Sequence, residues 1–333
     1  MNTHWTDRFK QPDFEFSDGR LVRVPPAEHS TFFVPLSHYS IISVTGPDAH
    51  SFLQGQLTCD MDEVDQTGVR LGAHCNIKGH MHSLYQVMRA GEHSYWLRVR
   101  SDMAESALAL LRKYIIFSKA EARLEEDILG LGLHGPEATA SGDTLSSRLG
   151  MEPLLVVPAA GARCECWFDH RLLPQVLELL GDHTSPAEWN SWELLEIDAG
   201  IPELAPATAE AFIPQMTNLQ ALGGVSFTKG CYTGQEIVTR LQHRGQLKKP
   251  MYRAEIKGKT LPEPGAPLAS GEKENVGQVV RAARITGGYR LLAVISKEQA
   301  DTRPLFLHST SGPQLTLMSL PYELDPELFQ RKH

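Results

Sequence analysis

Residues 39–44, YSIISV, form a β-rich run that alternates as a strand does. The period then changes. In TGPDAHSFL, Pro47 suits a first helical turn, and Thr45 with Asp48 three residues on has the form of a capping box. Phe52 and Leu53 fall on the face that such a helix turns to a core. Strand-like runs follow at 69–75, 84–89 and 95–99. SDMAESALALLRKY has apolar residues at 104, 107, 108 and 111, which predicts a helix with Ser101 as its N-cap. Further strands are expected near 129–134 and 164–168. RLLPQVLELLG reads as a short helix closed by Gly181, and 189–198 as another, ended by Gly200 and Pro202.

After about residue 250 the pattern changes again. Proline and glycine become frequent, as in LPEPGAPLASG, and VGQVVRAARI and YRLLAVIS flank TGG, a hairpin signal. A small all-β domain is expected over 246–333. Residues 1–245 mix strands and helices without regular βαβ alternation, which favours an α+β class over a doubly wound sheet.

Composition narrows the function. Apolar residues make up 41% and charged residues 22%, as in soluble globular proteins. The first sixteen residues are charged and lack the apolar stretch of a secretory leader, and no apolar run nears a bilayer span, so a cytoplasmic protein without a membrane partner is expected. The five cysteines, at 59, 75, 164, 166 and 231, are odd in number and scattered, which is no disulfide framework. A net charge of −8 argues against broad electrostatic binding to nucleic acid. The segment 229–253 departs from it, with six basic residues against the single acid Glu236. It reads either as a solvated face or as an anion site.

That segment opens with FTKGCYTGQE (227–236). TGQE fits a capping box in which Thr233 caps a helix and Glu236 reaches back to the cap. Cys231 would then lie near the positive end of a helix with Lys229 beside it, and both features favour a thiolate. Gly230 and Gly234 would let backbone N–H groups approach a ligand closely. The order of Lys, Gly and Cys is not that of a nucleotide P-loop. His243 and His134 are conceivable partners for the thiol, although no spacing points to them. A lone cysteine is also a common buried residue, and both readings stand on these residues alone.

KGCYTGQE, with Lys229, Gly230, Cys231, Tyr232, Gly234, Gln235 and Glu236, resembles the signature of the YgfZ family. These are folate-binding proteins linked to tRNA modification and to the maintenance of iron–sulfur enzymes. TGPDAHSFLQGQLTCD (45–60), AHCNIKG (73–79), KYIIFSK (113–119), EIDAGIPE (196–203) and FIPQMTNLQALGGVSFTKGCYTGQEIVTR (212–240) resemble it in the same order. The resemblance implies the architecture of the glycine-cleavage aminomethyltransferase: two interleaved α+β subdomains around a central folate cavity, with a C-terminal β-barrel. It implies tetrahydrofolate or another reduced folate as cofactor. It points to Tyr39 and Trp192 as aromatic contacts and to Asp198, where relatives commonly carry Glu, as the acceptor for the pterin 2-amino group and ring N–H. Arg240 would meet the folate glutamate tail. Cys231, with Lys229, is the expected reactive thiol. Iron–sulfur tRNA-modifying enzymes are the expected partners of a monomer, with an indirect link to tRNA.

The aminomethyltransferases need a carboxylate near the transferred carbon. The corresponding stretch here, KGHMHSLYQV (78–87), contains neither Asp nor Glu. An accessory folate-binding protein is therefore expected rather than a glycine-cleavage enzyme, with a one-carbon transferase as the alternative. The pairs His80/His82 and Cys164/Cys166 lack an obvious third ligand, so no metal site is expected from them.

Overall fold

Two five-stranded sheets, a closed barrel and a small two-stranded ribbon, Glu15–Ser17 with Arg20–Arg23, carry the strands of the computed structural model, which describes residues 4–150, 154–159, 161–271 and 273–330, Asp182 by its backbone alone. The first sheet runs Val69–Cys75, Met81–Gly91, Ser94–Arg100, Tyr39–Thr45, Glu121–Glu125 in spatial order. Its strands alternate. Val44, Tyr85, Val87, Leu97 and Val99 face the helices Ala49–Gln56, Met61–Thr67 and Ala104–Ile115 and form one core with Phe52, Leu53 and Leu111.

The second sheet runs Leu154–Ala159, Arg163–Asp169, Ile128–His134, Phe32–Pro35, Ser185–Pro186. The helices Ala138–Leu149 and Leu173–Leu180 contribute to its core, as does Trp5 of the short helix His4–Arg8. Phe32–Pro35 belongs to this sheet, the next strand to the first, and the chain returns after Glu125. The two α+β parts are thus interleaved.

The barrel closes in the order Met251–Lys257, Gly288–Ile295, Lys273–Ile285, Pro267–Ser270, Leu305–Leu307, Gln314–Met318. Its central hairpin pairs Ile285 with Gly288 across Thr286 and Gly287, at the TGG signal. Val280, Ala283, Leu292 and Val294 turn away from the barrel interior. They pack with Ala73, Cys75 and Leu84 of the first sheet and Ile197 of the helix Trp189–Asp198. That helix lies where all three parts meet.

Three cap expectations are overturned. Ser101 opens a 3-10 turn, Ser101–Met103, and the helix proper starts at Ala104. Asp48 does occupy the N-cap of Ala49–Gln56, but its carboxylate accepts from the backbone N–H of Lys119 at 2.7 Å instead of capping. Thr45 is the last residue of its strand. The third concerns the cysteine loop.

Candidate functional site

The helix after Cys231 is Gln235–Arg244, one residue later than a Thr233 cap requires. Its N-cap is Gly234, in the left-handed region at φ 83°, with no side-chain cap. The reason is crowding. A Cβ at Gly234 would lie 2.4 Å from the Asn76 carbonyl oxygen and 3.1 Å from Cys75 Cβ, so the loop seats directly on the turn after Val69–Cys75. Thr233 instead donates its backbone N–H to the Gly55 carbonyl, and exposed Glu236 lies 3.6 Å from Arg240 one turn on.

Lys229 also departs from expectation. Its Nζ donates to the carbonyls of Leu57 (2.9 Å) and Cys59 (2.7 Å) and lies 5.2 Å from the Tyr232 ring centroid. The ammonium thus ties the loop to the first sheet's helical layer. Burial lowers its pKa to about 8. Cys231 is exposed, whereas Cys59, Cys75, Cys164 and Cys166 are buried. Burial pushes the thiols of Cys59 and Cys75 up to about 12. At neutral pH Cys231 is the cysteine that solvent-borne reagents meet. His243 stacks edge-on against Phe227, 6.2 Å between centroids, and His134 lies on a strand of the second sheet.

Beneath the Trp189–Asp198 helix lies a feature that the local patterns did not reveal, a buried set of ionic pairs. Arg281 forks onto Glu193, at 2.7 and 3.2 Å. Arg98 donates to Glu165 at 2.6 Å, and Arg163 pairs with Glu196 at 2.9 Å. All six residues are buried. Three arginines balance three glutamates, and hydrogen bonds to the Ile201 carbonyl and from the Trp167 indole satisfy further atoms. Burial alone would raise the Glu193 carboxyl; Arg281 and His38 outweigh it and hold that carboxyl well below the usual range.

Tyr39 sits against this network. Arg98 lies over its ring at 4.1 Å, and Arg281 reaches its hydroxyl at 3.5 Å. On one side of Tyr39 is a small recess of about 10 Å³, shared with Tyr85, Gln86, Arg100 and Glu203, with room for about one water. On the other is a cleft of about 770 Å³, lined by His38, Tyr39, Arg20, Arg100 and a run of acidic residues that includes Asp102, Glu105 and Asp127. Of these two spaces the cleft is the one of ligand size. His38 is nine-tenths buried, and its Nε2 stands 3.5 Å from Glu193 Oε1.

Of the four residues expected at a cofactor, Tyr39 lines this cleft and the other three do not. Trp192 is fully buried under Arg163, 5.0 Å from its ring, and against Gly132, where a Cβ would meet the indole at 2.5 Å. Asp198 is held by two barrel arginines, Arg290 at 2.7 and 2.8 Å and Arg253 at 3.3 Å. Its carboxylate already has its charge partners. Arg240 is largely exposed on the Gln235–Arg244 helix. Arg98, Arg281, Glu193 and Glu196 went unread, although signals existed. Arg98 falls on the strand face opposite Tyr95, Leu97 and Val99, and Glu193 and Glu196 share the helix face of Trp192.

The stretch 78–87 carries no acid of its own, yet the fold delivers one. Glu210, at φ 58°, accepts from Asn76 Nδ2 at 2.8 Å and lies 3.2 Å from His82 Nδ1. Beside His82, His74 is pushed down to about 4, by burial first and by that neighbour second. Cys164 and Cys166 pack inside the second sheet's core.

Residues 28–151 match the family described as the GCVT N-terminal domain. The structure is similar to glycine cleavage system aminomethyltransferase T from Bartonella henselae, with a TM-score of 0.61 over 88% of this chain and 86% of that one. At 18% identity that likeness is one of fold: an aminomethyltransferase-like body with a six-stranded C-terminal barrel. In sequence the chain is 34% identical over 304 residues to the tRNA-modifying protein YgfZ of Escherichia coli O7:K1, covering 87% of this chain and 93% of the relative. The protein of that name from Shigella boydii serotype 4 matches to the same extent. A single relation of that identity and coverage runs through both α+β parts and the barrel, and the chain belongs to the YgfZ family.

Proposed function

We propose that this chain is a folate-binding accessory protein of tRNA modification, which supports the assembly or repair of iron–sulfur enzymes that thiolate or methylthiolate tRNA. The observation that carries the reading is a body of this family that bears one exposed thiol, Cys231, and, lined by other residues, a ligand-sized cleft. In the proposal a reduced folate enters the 770 Å³ cleft with its pterin against Tyr39, and Arg20 or Arg100 meets its glutamate carboxylate. Asp198 serves as an ionic tie between helix and barrel, and Trp192 supports the network from behind. The protein acts in the cytoplasm as a monomer. With a net charge of −8 it meets the modifying enzymes and not tRNA itself. Among the described residues, no helix is long and apolar enough to cross a membrane.

Calorimetric titration with tetrahydrofolate tests the binding half. The wild type should bind, and Tyr39→Ala should bind at least about tenfold more weakly, the loss of one stacked aromatic contact. Equal affinity in the two would place the folate elsewhere. In cells lacking their own YgfZ, the wild-type chain should restore methylthiolated tRNA and Cys231→Ala should not. Full restoration by that variant would remove the thiol from the function.

A second reading, a folate-dependent one-carbon transferase, draws on Glu210, which brings a carboxylate to the Asn76–His82 turn. It requires folate-dependent ammonia release from an aminomethyl-lipoyl donor, abolished by Glu210→Gln. On the accessory reading no such release occurs.

A further inference from the structure

Where the chain crosses from the first sheet to the second, it carries Asp127 in the bend between Glu121–Glu125 and Ile128–His134. The strand Arg163–Asp169 ends beside that bend, with Asp169 in register with Ile128. The next residue, His170, donates its backbone N–H to the Asp127 carbonyl at 2.8 Å. The ladder therefore sets Asp127 and His170 side by side before any side-chain interaction is counted. His4 comes from the other end of the chain, on the helix His4–Arg8, and Trp5 next to it is 1% exposed in the second sheet's core. Its imidazole stacks on that of His170, with centroids 4.0 Å apart and planes 15° from parallel.

Among the described residues, one ligating atom from each of His4, Asp127 and His170 lies within 4.8 Å of the other two. Asp127 Oδ1 is 3.5 Å from His170 Nδ1 and 3.9 Å from His4 Nε2. Around a zinc ion with bonds of about 2.0–2.2 Å, tetrahedral ligand atoms stand about 3.3–3.6 Å apart. The first separation already has that value; the two imidazoles are stacked, so ligation requires the His4 ring to swing out of the stack and bring its Nε2 onto the same ion. His170 Nδ1 is shielded from solvent and makes no hydrogen bond. It points between two carboxylates, since Asp169 Oδ1 is 3.6 Å away on its other side. Asp169 is itself gripped by Arg171 at 2.7 Å through each oxygen, which leaves Asp127 as the available carboxylate.

We propose that His4, Asp127 and His170 bind one divalent transition-metal cation of the zinc class. Two imidazoles and one carboxylate suit zinc, cobalt or nickel better than magnesium or calcium, which take oxygen ligands. His4 and Asp127 also line the 770 Å³ cleft, so the remaining coordination position opens toward it. The cation fastens the N-terminal helix to the crossing point of the two interleaved parts, at the rim of that cleft.

The test uses the untagged full chain stripped with a chelator. Zinc is titrated by calorimetry and cobalt by its visible spectrum. One equivalent of zinc should bind and raise the Tm. His4→Gln, Asp127→Asn and His170→Ala should each weaken binding by at least the about ten- to hundredfold seen for losses in a metal site's supporting shell. His243→Ala, on the distant cysteine-loop helix, should leave it unchanged. His4→Gln perturbs only the start of the chain, so it still reports on zinc affinity if the Asp127 variant fails to fold. The absence of stoichiometric zinc binding would overturn the proposal, and so would equal affinity in wild type and all three ligand variants.

Discussion

The cysteine loop and the central ionic network are built on opposite terms. The loop is a contiguous run whose distinctive side chain, Cys231, stands in solvent, and its cation, Lys229, holds two backbone carbonyls. The network is assembled from the strands Ser94–Arg100, Arg163–Asp169 and Lys273–Ile285 and the helix Trp189–Asp198, and its six charges are buried. Each charge there depends on a partner far away in sequence, whereas Cys231 depends on none. The difference separates residues that stabilise this fold from residues free to change for chemistry. In the loop a substitution alters reactivity; in the network it exposes an uncompensated charge to a medium that solvates it poorly.

Arg281→Met should give the largest effect. It strands Glu193 without its bidentate partner, a loss of about 3–5 kcal/mol in urea unfolding. Adding Glu193→Gln should return part of that loss. A cost no greater than that of a surface substitution would show that water reaches the network. Gly132→Ala comes next, because the new methyl meets the Trp192 indole and displaces it, at about 1–3 kcal/mol. A shift in tryptophan emission should accompany it.

In the loop the effects are smaller. The Lys229 amine, held at about 8, should acylate with a rate that levels off near that pH, well below the ordinary lysine range. The folded chain gives up this proton before the unfolded chain does. Between about 8 and the ordinary lysine value of 10.5 the unfolded state binds more protons, so Lys229 makes stability rise with pH there. A labelling profile with its inflection near 10.5 would place the amine in solvent. Cys231→Ala should change unfolding free energy by no more than about 0.5 kcal/mol. The native wild type should offer one thiol of its five to a disulfide reagent, and that variant none.

The same contrast sets what could be read in advance. The strand 95–99, the helix 189–198 and the TGG hairpin were legible because each carries a local signal: alternation in the first, the stop at Gly200 and Pro202 in the second, turn residues in the third. Cys231 was legible as part of a motif, although its exposure was not. The helix start at Gly234 was not, because Thr-x-x-Glu is a local rule and the contact that overrides it comes from Asn76 and Cys75. The contacts of Asp198 and Lys229 were out of reach for a related reason. Their partners, Arg290 and Arg253 for one and the carbonyls of Leu57 and Cys59 for the other, belong to distant segments. Glu210 shows the reverse case: a stretch without acids receives one from more than a hundred residues away.

By itself the sequence determined the periods of its strands and helices, the break before the barrel and the motif that marks its family. Those are properties of neighbouring residues, set by backbone geometry and by burial of alternate or every third and fourth side chain. Only the tertiary structure decided which charges meet, which of five thiols faces water and which aromatic ring borders a cleft. Charge pairing and solvent exposure depend on distance in space, and the chain crosses twice between its sheets before those distances exist.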